Sequence, residues 1–151
     1  MFIQDIDLFS GLPSDMMDEI SKLFIEKVYP AGGILFRRGE SAEALFILKD
    51  GWVDISIGGK GHTSFLVNCS GDVFGWSALL EPRQHRSSAT CVKESKVIKI
   101  NGDRLVQIFE RHPAEGLRVL RRLAGIIASR LVSSYEAALA SMTETKEPSY
   151  G

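Results

Sequence analysis

The residues able to do anion chemistry lie close together. They are Gly71-Asp72-Val73-Phe74-Gly75-Trp76-Ser77-Ala78-Leu79-Leu80, followed by Arg83, His85, Arg86, Ser87 and Ser88. The pattern is that of a strand ending at a glycine, one short helical turn, and a polar basic loop that enters the next strand. A glycine at such a junction lets the backbone approach a ligand closely. The first turn of a helix presents N–H groups without a partner, which favour an anion. Arg86 arrives just after that turn with a planar fork suited to phosphate oxygens. Phe74, Gly75, Trp76, Ser77, Ala78, Arg86, Ser87 and Ser88 are therefore expected to form a pocket for a small anionic ligand. Arg83 and His85 read as exposed loop residues that add positive potential at its mouth.

Other chemistries find little support. His62, His85 and His112 are scattered, without the clustered spacing and carboxylate that a metal centre needs. No nucleophile–base pair, paired-carboxylate motif or P-loop stands out, so no catalytic residue and no enzymatic activity are expected. Cys69 and Cys91 have no metal or redox spacing and lie among apolar strand residues. They read as buried free thiols in a reducing cytoplasm.

The elements that must position the pocket fit one domain of 151 residues, with 44% apolar and 25% charged side chains. A net charge of -1 gives no global attraction to nucleic acid or acidic membranes. No apolar run is long enough to span a bilayer, and the N-terminus lacks the features of a signal peptide. A cytoplasmic location is expected.

Ser14 is placed to cap a helix whose apolar face is Met16, Met17, Ile20, Leu23 and Phe24. From Glu26 to Ile100, short β-rich runs alternate with turn signals. Strands are expected near Glu26–Tyr29, Ile34–Arg37, Ala44–Asp50, Trp52–Ile57, Thr63–Asn68, Val73–Phe74, Ser87–Lys93 and Lys96–Ile100. Asp50-Gly51 carries the signal of a tight hairpin. The fold class is mainly β with flanking helices, an eight-stranded β-roll or jelly roll.

Asn101 or Asp103 can cap a helix over Arg104–Arg111, and Pro113 can start another running to about Ala140. Leu117, Leu120, Ala124, Ile127 and Leu131 form one apolar stripe, and Val119, Leu123 and Ile126 an adjacent one. So broad a face can pack on the β-roll and still offer a surface to a partner helix. Arg118, Arg121, Arg122 and Arg130 read as its wet side. The domain is expected over 1–140, with 141–151 a disordered tail.

This order of elements resembles the cyclic-nucleotide-binding domain of catabolite activator protein and its relatives. Tyr29-Pro30-Ala31-Gly32-Gly33-Ile34-Leu35-Phe36-Arg37-Arg38-Gly39-Glu40 looks like the family's first glycine-punctuated hairpin. Leu45-Phe46-Ile47-Leu48-Lys49-Asp50-Gly51-Trp52-Val53 looks like its central segment, and Gly71 to Ser88 like its phosphate-binding cassette. The resemblance implies that Gly75 and the backbone at Ser77 and Ala78 line a phosphate. Arg86 would pair with its charge, and Ser87 would offer a hydroxyl. It also implies a glutamate directly after the cassette glycine, where it binds the ribose 2′-hydroxyl. Here that position is Trp76, whose ring nitrogen donates and cannot accept.

Three readings of Trp76 stay open: a plugged pocket, a changed ligand, or retained cyclic-nucleotide binding through another contact such as Glu81. Under the last two readings the ligand is cAMP, cGMP or another phosphate-containing molecule; under the first there is none. The resemblance implies a stand-alone regulatory module of bacterial type that signals through its long helix. It also implies a homodimer through the Leu120–Leu131 face. The alternative is an interaction module with a degenerate pocket. In the family's transcription factors a helix-turn-helix follows the long helix. Only a short polar tail follows here, so DNA reading is not expected.

Overall fold

β3, Ala44–Asp50, shows how this sequence makes its core: Ala44 to Leu48 are all buried because the strand faces apolar material on both sides. Leu45 and Ile47 point to a helix-side core, whereas Ala44, Phe46 and Leu48 point to a second core between two sheets. The same period of two divides β6, Val73–Phe74, and β8, Ser95–Asn101. Val73, Ile98 and Ile100 join the helix side, and Phe74 and Val97 the inter-sheet side.

The computed structural model describes residues 3–58 and 63–146. The other strands are β1 (Ile25–Tyr29), β2 (Ile34–Phe36), β4 (Val53–Ser56), β5 (Thr63–Val67) and β7 (Ser88–Cys91). They form two antiparallel four-stranded sheets, in the orders β1-β8-β3-β6 and β2-β7-β4-β5. The expected β-roll with eight strands is the observed architecture.

Asp50-Gly51 does not close a hairpin. β3 pairs with β8 and β6, and β4 pairs with β5 and β7, so the turn carries the chain from one sheet to the other. Gly51 has φ +138°, and a Cβ there would run into the Ser95 side chain. Ser95 Oγ holds the crossing by accepting from the Trp52 N–H at 3.0 Å and donating to the Lys93 carbonyl at 2.9 Å.

Three α-helices flank the sheets: α1 (Ser14–Ser21), α2 (Gly102–Arg111) and α3 (Pro113–Lys146). Ser14 is not the cap of α1; it is the first helical residue, and Pro13 takes the cap position without a side-chain bond. Asn101 does cap α2, its Oδ1 accepting from the Arg104 N–H at 3.0 Å. Pro113 opens α3, which continues to Lys146, six residues beyond the expected end at Ala140. That places 141–146 in the helix instead of the tail, while 147–151 lie outside the described residues.

α3 docks through Val119 and Leu123, both fully buried, with Ile126 and Ile127 packed beside them. Leu117, Leu120 and Leu131 remain exposed. Arg122 ties this helix to the N-terminal turns, donating to the carbonyls of Leu8 at 3.3 Å and Ser10 at 2.6 Å. Glu19 of α1 meets His112 at 3.1 Å and Arg111 at 3.5 Å, fixing the corner between α2 and α3. Cys91 is buried as expected, but Cys69 is exposed because it lies past the end of β5 in the turn that leads to β6.

Candidate ligand-binding site

β6 ends at Gly75, which sits in the left-handed region at φ +70° and ψ 25°. A Cβ at this position would lie 2.9 Å from Phe46 and 3.3 Å from Phe36. Both the conformation and the aromatic packing therefore require glycine. A 3-10 turn follows over Trp76–Leu79, closed by the Ala78 N–H on the Gly75 carbonyl at 3.4 Å. The N–H groups of Trp76 and Ser77 precede that bond, and a 3-10 turn supplies them no partner of its own. Gly102 lets α2 start directly against this turn, since a Cβ there would lie 2.6 Å from the Ala78 carbonyl oxygen.

Beside the turn is a cavity of about 310 Å³ between the β-roll and α3. Of the pocket residues expected from sequence, Phe74, Gly75, Trp76, Ser77, Arg86 and Ser87 line it. Ala78 and Ser88 do not. Ala78 is buried below the start of α2, and the Ser88 hydroxyl accepts from the Arg38 N–H at 2.9 Å. β2, β4 and β5 add Phe36, Ile55 and Phe65, and α3 closes the remaining side with Ile127, Arg130, Leu131 and Ser134.

The Arg86 guanidinium is fixed in the wall. It donates to the Ser77 hydroxyl and to the Glu81 carbonyl, each at 3.1 Å. Of five N–H donors, two are committed in this way and three remain. The part of Glu81 that bonds Arg86 is thus its backbone carbonyl, and its carboxylate is not among the lining groups.

Of the two basic loop residues expected to be exposed, His85 is not and Arg83 is. His85 is buried at 5% exposure, with its ring stacked on Phe36 at 3.8 Å between centroids and 9° between planes. Burial pushes its pKa below the ordinary value, with the Glu40 carboxylate opposing. Its backbone places it there, the N–H donating to the Glu40 carbonyl and the carbonyl accepting from Gly39. Arg83 is exposed and paired with Asp103 at the start of α2.

The second cation of the cavity is Arg130, which the sequence placed on the wet face of α3. Its guanidinium carbon lies 4.7 Å from the centre of the Trp76 ring and 4.6 Å from that of Phe65. Burial pushes its pKa down to about 10, opposed by the Asp72 carboxylate, so it stays charged at neutral pH. A signal was present in the spacing. Arg130 lies four and three residues after Ile126 and Ile127, both on the packed side. Trp76 itself is half-buried and forms wall without filling the hollow.

Among the described residues no carboxylate lines the cavity. Among the described residues no group of three or more His, Cys, Asp or Glu side chains could hold a metal ion. His62 lies outside the described residues. No described helix is long and apolar enough to cross a membrane.

Paired antiparallel sheets, a left-handed glycine leading into a 3-10 turn, an arginine in the cavity wall and a closing helix make a β-roll with a candidate ligand cavity. The chain belongs to the cyclic nucleotide-binding domain family, whose sequence profile matches residues 26–112. It is 28% identical over 127 residues to the cyclic AMP receptor protein of Thermus thermophilus, covering 82% of this chain. The chain spans about half of that curated relative, 56% of its length. It also resembles the structure of a Geobacter metallireducens GS-15 protein assigned as cyclic nucleotide-binding. The TM-score is 0.76 at 29% identity, over 85% of this chain and 94% of that one. The regulatory domain of Toxoplasma gondii PKA, co-crystallised with cAMP, superposes with TM-score 0.63 at 25% identity. That match covers 70% of this chain and 41% of the other.

Proposed function

We propose that this chain is a sensor domain that binds a small phosphate-bearing ligand, a cyclic nucleotide such as cAMP or cGMP in the first place, and reports it through α3. The observation that carries the proposal is Arg86, held beside Gly75 by two hydrogen bonds with three donors to spare. Ligand phosphate would meet those donors and the N–H groups of Trp76 and Ser77. An occupant would also touch Ile127, Arg130 and Leu131, so ligand binding and the seating of α3 share one free energy. Two seatings of α3 with different affinities for the ligand suffice for a signal.

Calorimetric titration of cAMP and cGMP into the wild-type chain and Arg86→Ala tests this reading. Binding to the wild type, weakened tenfold or more by the substitution, supports it. A ligand at about 100 times its dissociation constant also adds ~2.7 kcal/mol to stability, a clear thermal shift. Silence from both nucleotides favours a second reading, an interaction module. That reading draws on Leu131, Val132, Tyr135 and Leu139, which are exposed along α3. A homodimer through the Leu120–Leu131 face fits either reading. Sedimentation that shows only monomer at high micromolar concentration would remove it.

A further inference from the structure

We infer that the cavity selects an anion carried on a flat, apolar body, and that it does not read the hydroxyl of a sugar. This rests on the proposal that the Gly75–Arg86 cradle takes the anion, and it specifies what the rest of the ligand must be. Ile55, Ile57, Phe65, Trp76, Ile127 and Leu131 give the cavity apolar or aromatic walls. Among the described residues its charged side chains are Arg86 and Arg130, both cations. No carboxylate or carboxamide side chain of the described residues lines the space. Among the side chains of the described lining residues, the uncharged acceptors are serine hydroxyls and the His85 ring. Of these, the Ser77 hydroxyl already accepts from Arg86, and His85 has its ring face against Phe36.

A sugar hydroxyl is read sharply when a charged acceptor accepts its hydrogen bond, which gives roughly tenfold discrimination or more. Neutral hydroxyls that can rotate give only a few-fold. The indole of Trp76 adds a donor and a broad face but no acceptor. Arg130 reinforces the selection for an anion. Trp76 and Phe65 lie close to its guanidinium, and its N–H groups are arrayed around the edge of the plane. A flat apolar ring therefore meets matching walls, and its anionic group meets two guanidinium groups. The volume, about 310 Å³, is at the small end for ligand cavities.

The test titrates three probes into the wild-type chain: cAMP, 2′-deoxy-cAMP and 1-naphthyl phosphate. The last carries a phosphate on a flat ring and has no sugar. The same titrations are run with Arg86→Ala and Arg86→Gln, and melting curves check that each variant is folded. We expect the two nucleotides to bind within threefold of each other. We expect 1-naphthyl phosphate to bind as well, and all three to weaken tenfold or more in the variants. A tenfold preference for cAMP over its 2′-deoxy form would overturn the inference and leave the sensor proposal standing. Absence of 1-naphthyl phosphate binding at millimolar concentration would also overturn it. Silence from both nucleotides, with naphthyl phosphate binding that depends on Arg86, would uphold the inference and remove cyclic nucleotides as the ligand. Binding indifferent to Arg86 would overturn the cradle and the inference together.

Discussion

Arg130 stands over the ring of Trp76, its guanidinium carbon 4.7 Å from the ring centre, with Phe65 at 4.6 Å. Trp76 follows Gly75 in the turn that faces the cavity, and Arg130 belongs to the helix that closes it. The contact thus joins the cavity-facing turn directly to α3. The attraction needs a charged guanidinium, and a pKa of about 10 keeps it charged throughout the neutral range.

Replacing Trp76 with glutamate puts a charged acceptor into a cavity with none among its described lining residues. A charge-assisted hydrogen bond contributes about 1.5–3 kcal/mol, or roughly 10- to 100-fold in affinity. The new carboxylate would also neighbour Arg130, which offsets part of the gain. We expect Trp76→Glu to bind cAMP at least tenfold tighter than wild type and to prefer it over 2′-deoxy-cAMP. Calorimetry on a variant with an unaltered melting curve decides the matter. An unchanged affinity would mean that the sugar lacks more than one contact.

Gly75→Ala should destabilise the whole domain. At φ +70° an L-residue carries a cost of about 1–2 kcal/mol. Its Cβ would also crowd Phe46 at 2.9 Å and Phe36 at 3.3 Å, and overpacking costs about 1–3 kcal/mol. The expected loss is about 2–5 kcal/mol in urea unfolding. A loss below about 0.5 kcal/mol would show that the aromatic cluster yields freely.

His85 should make stability depend on pH. Burial against Phe36 lowers its pKa in the folded state below the ordinary value near 6.5. The unfolded chain therefore binds the proton more readily than the folded one. Its contribution is fully present above about pH 6.5 and is lost as pH falls from there through the lowered folded value. We expect His85→Phe to keep the stack on Phe36 and to flatten the difference in melting temperature between pH 5 and pH 7.5. An identical pH profile in both proteins would remove His85 as its source.

The strands were largely legible because their signal is local. β3 and β6 have the expected bounds, and the other six strands begin and end within two residues of expectation. Partnership was not legible. Asp50-Gly51 has hairpin chemistry, but β3 finds its partner in β8, about fifty residues away, and no local signal encodes that pairing. In the candidate site, the juxtaposition of Gly75, Ser77 and Arg86 at one cavity was legible because glycine, turn and arginine follow one another in sequence. His85 and Arg130 were misread for a common reason. Polar side chains in a loop and on a helix read as solvated, and what buries them comes from elsewhere: Phe36 of β2 for the histidine, Phe65 of β5 for the arginine.

Arg130→Ala tests whether α3 is held at the cavity by the stack itself. Each cation–π contact contributes about 0.5–2 kcal/mol, and the substitution removes two of them. Val119 and Leu123 are untouched and fully buried, so the helix should stay docked at its N-terminal half. The loss is therefore expected as local opening of α3 around Ile127–Ser134, not as global unfolding. About 1–2 kcal/mol corresponds to roughly 5- to 30-fold faster amide hydrogen exchange there. Exchange in β8, the strand between β1 and β3, should keep its wild-type rate. Arg130→Lys retains the charge but lacks the planar group that stacks, so it should fall between the two. Equal exchange along α3 in all three proteins would show that the aliphatic residues alone seat the helix, and the link from Trp76 to α3 would then carry no signal.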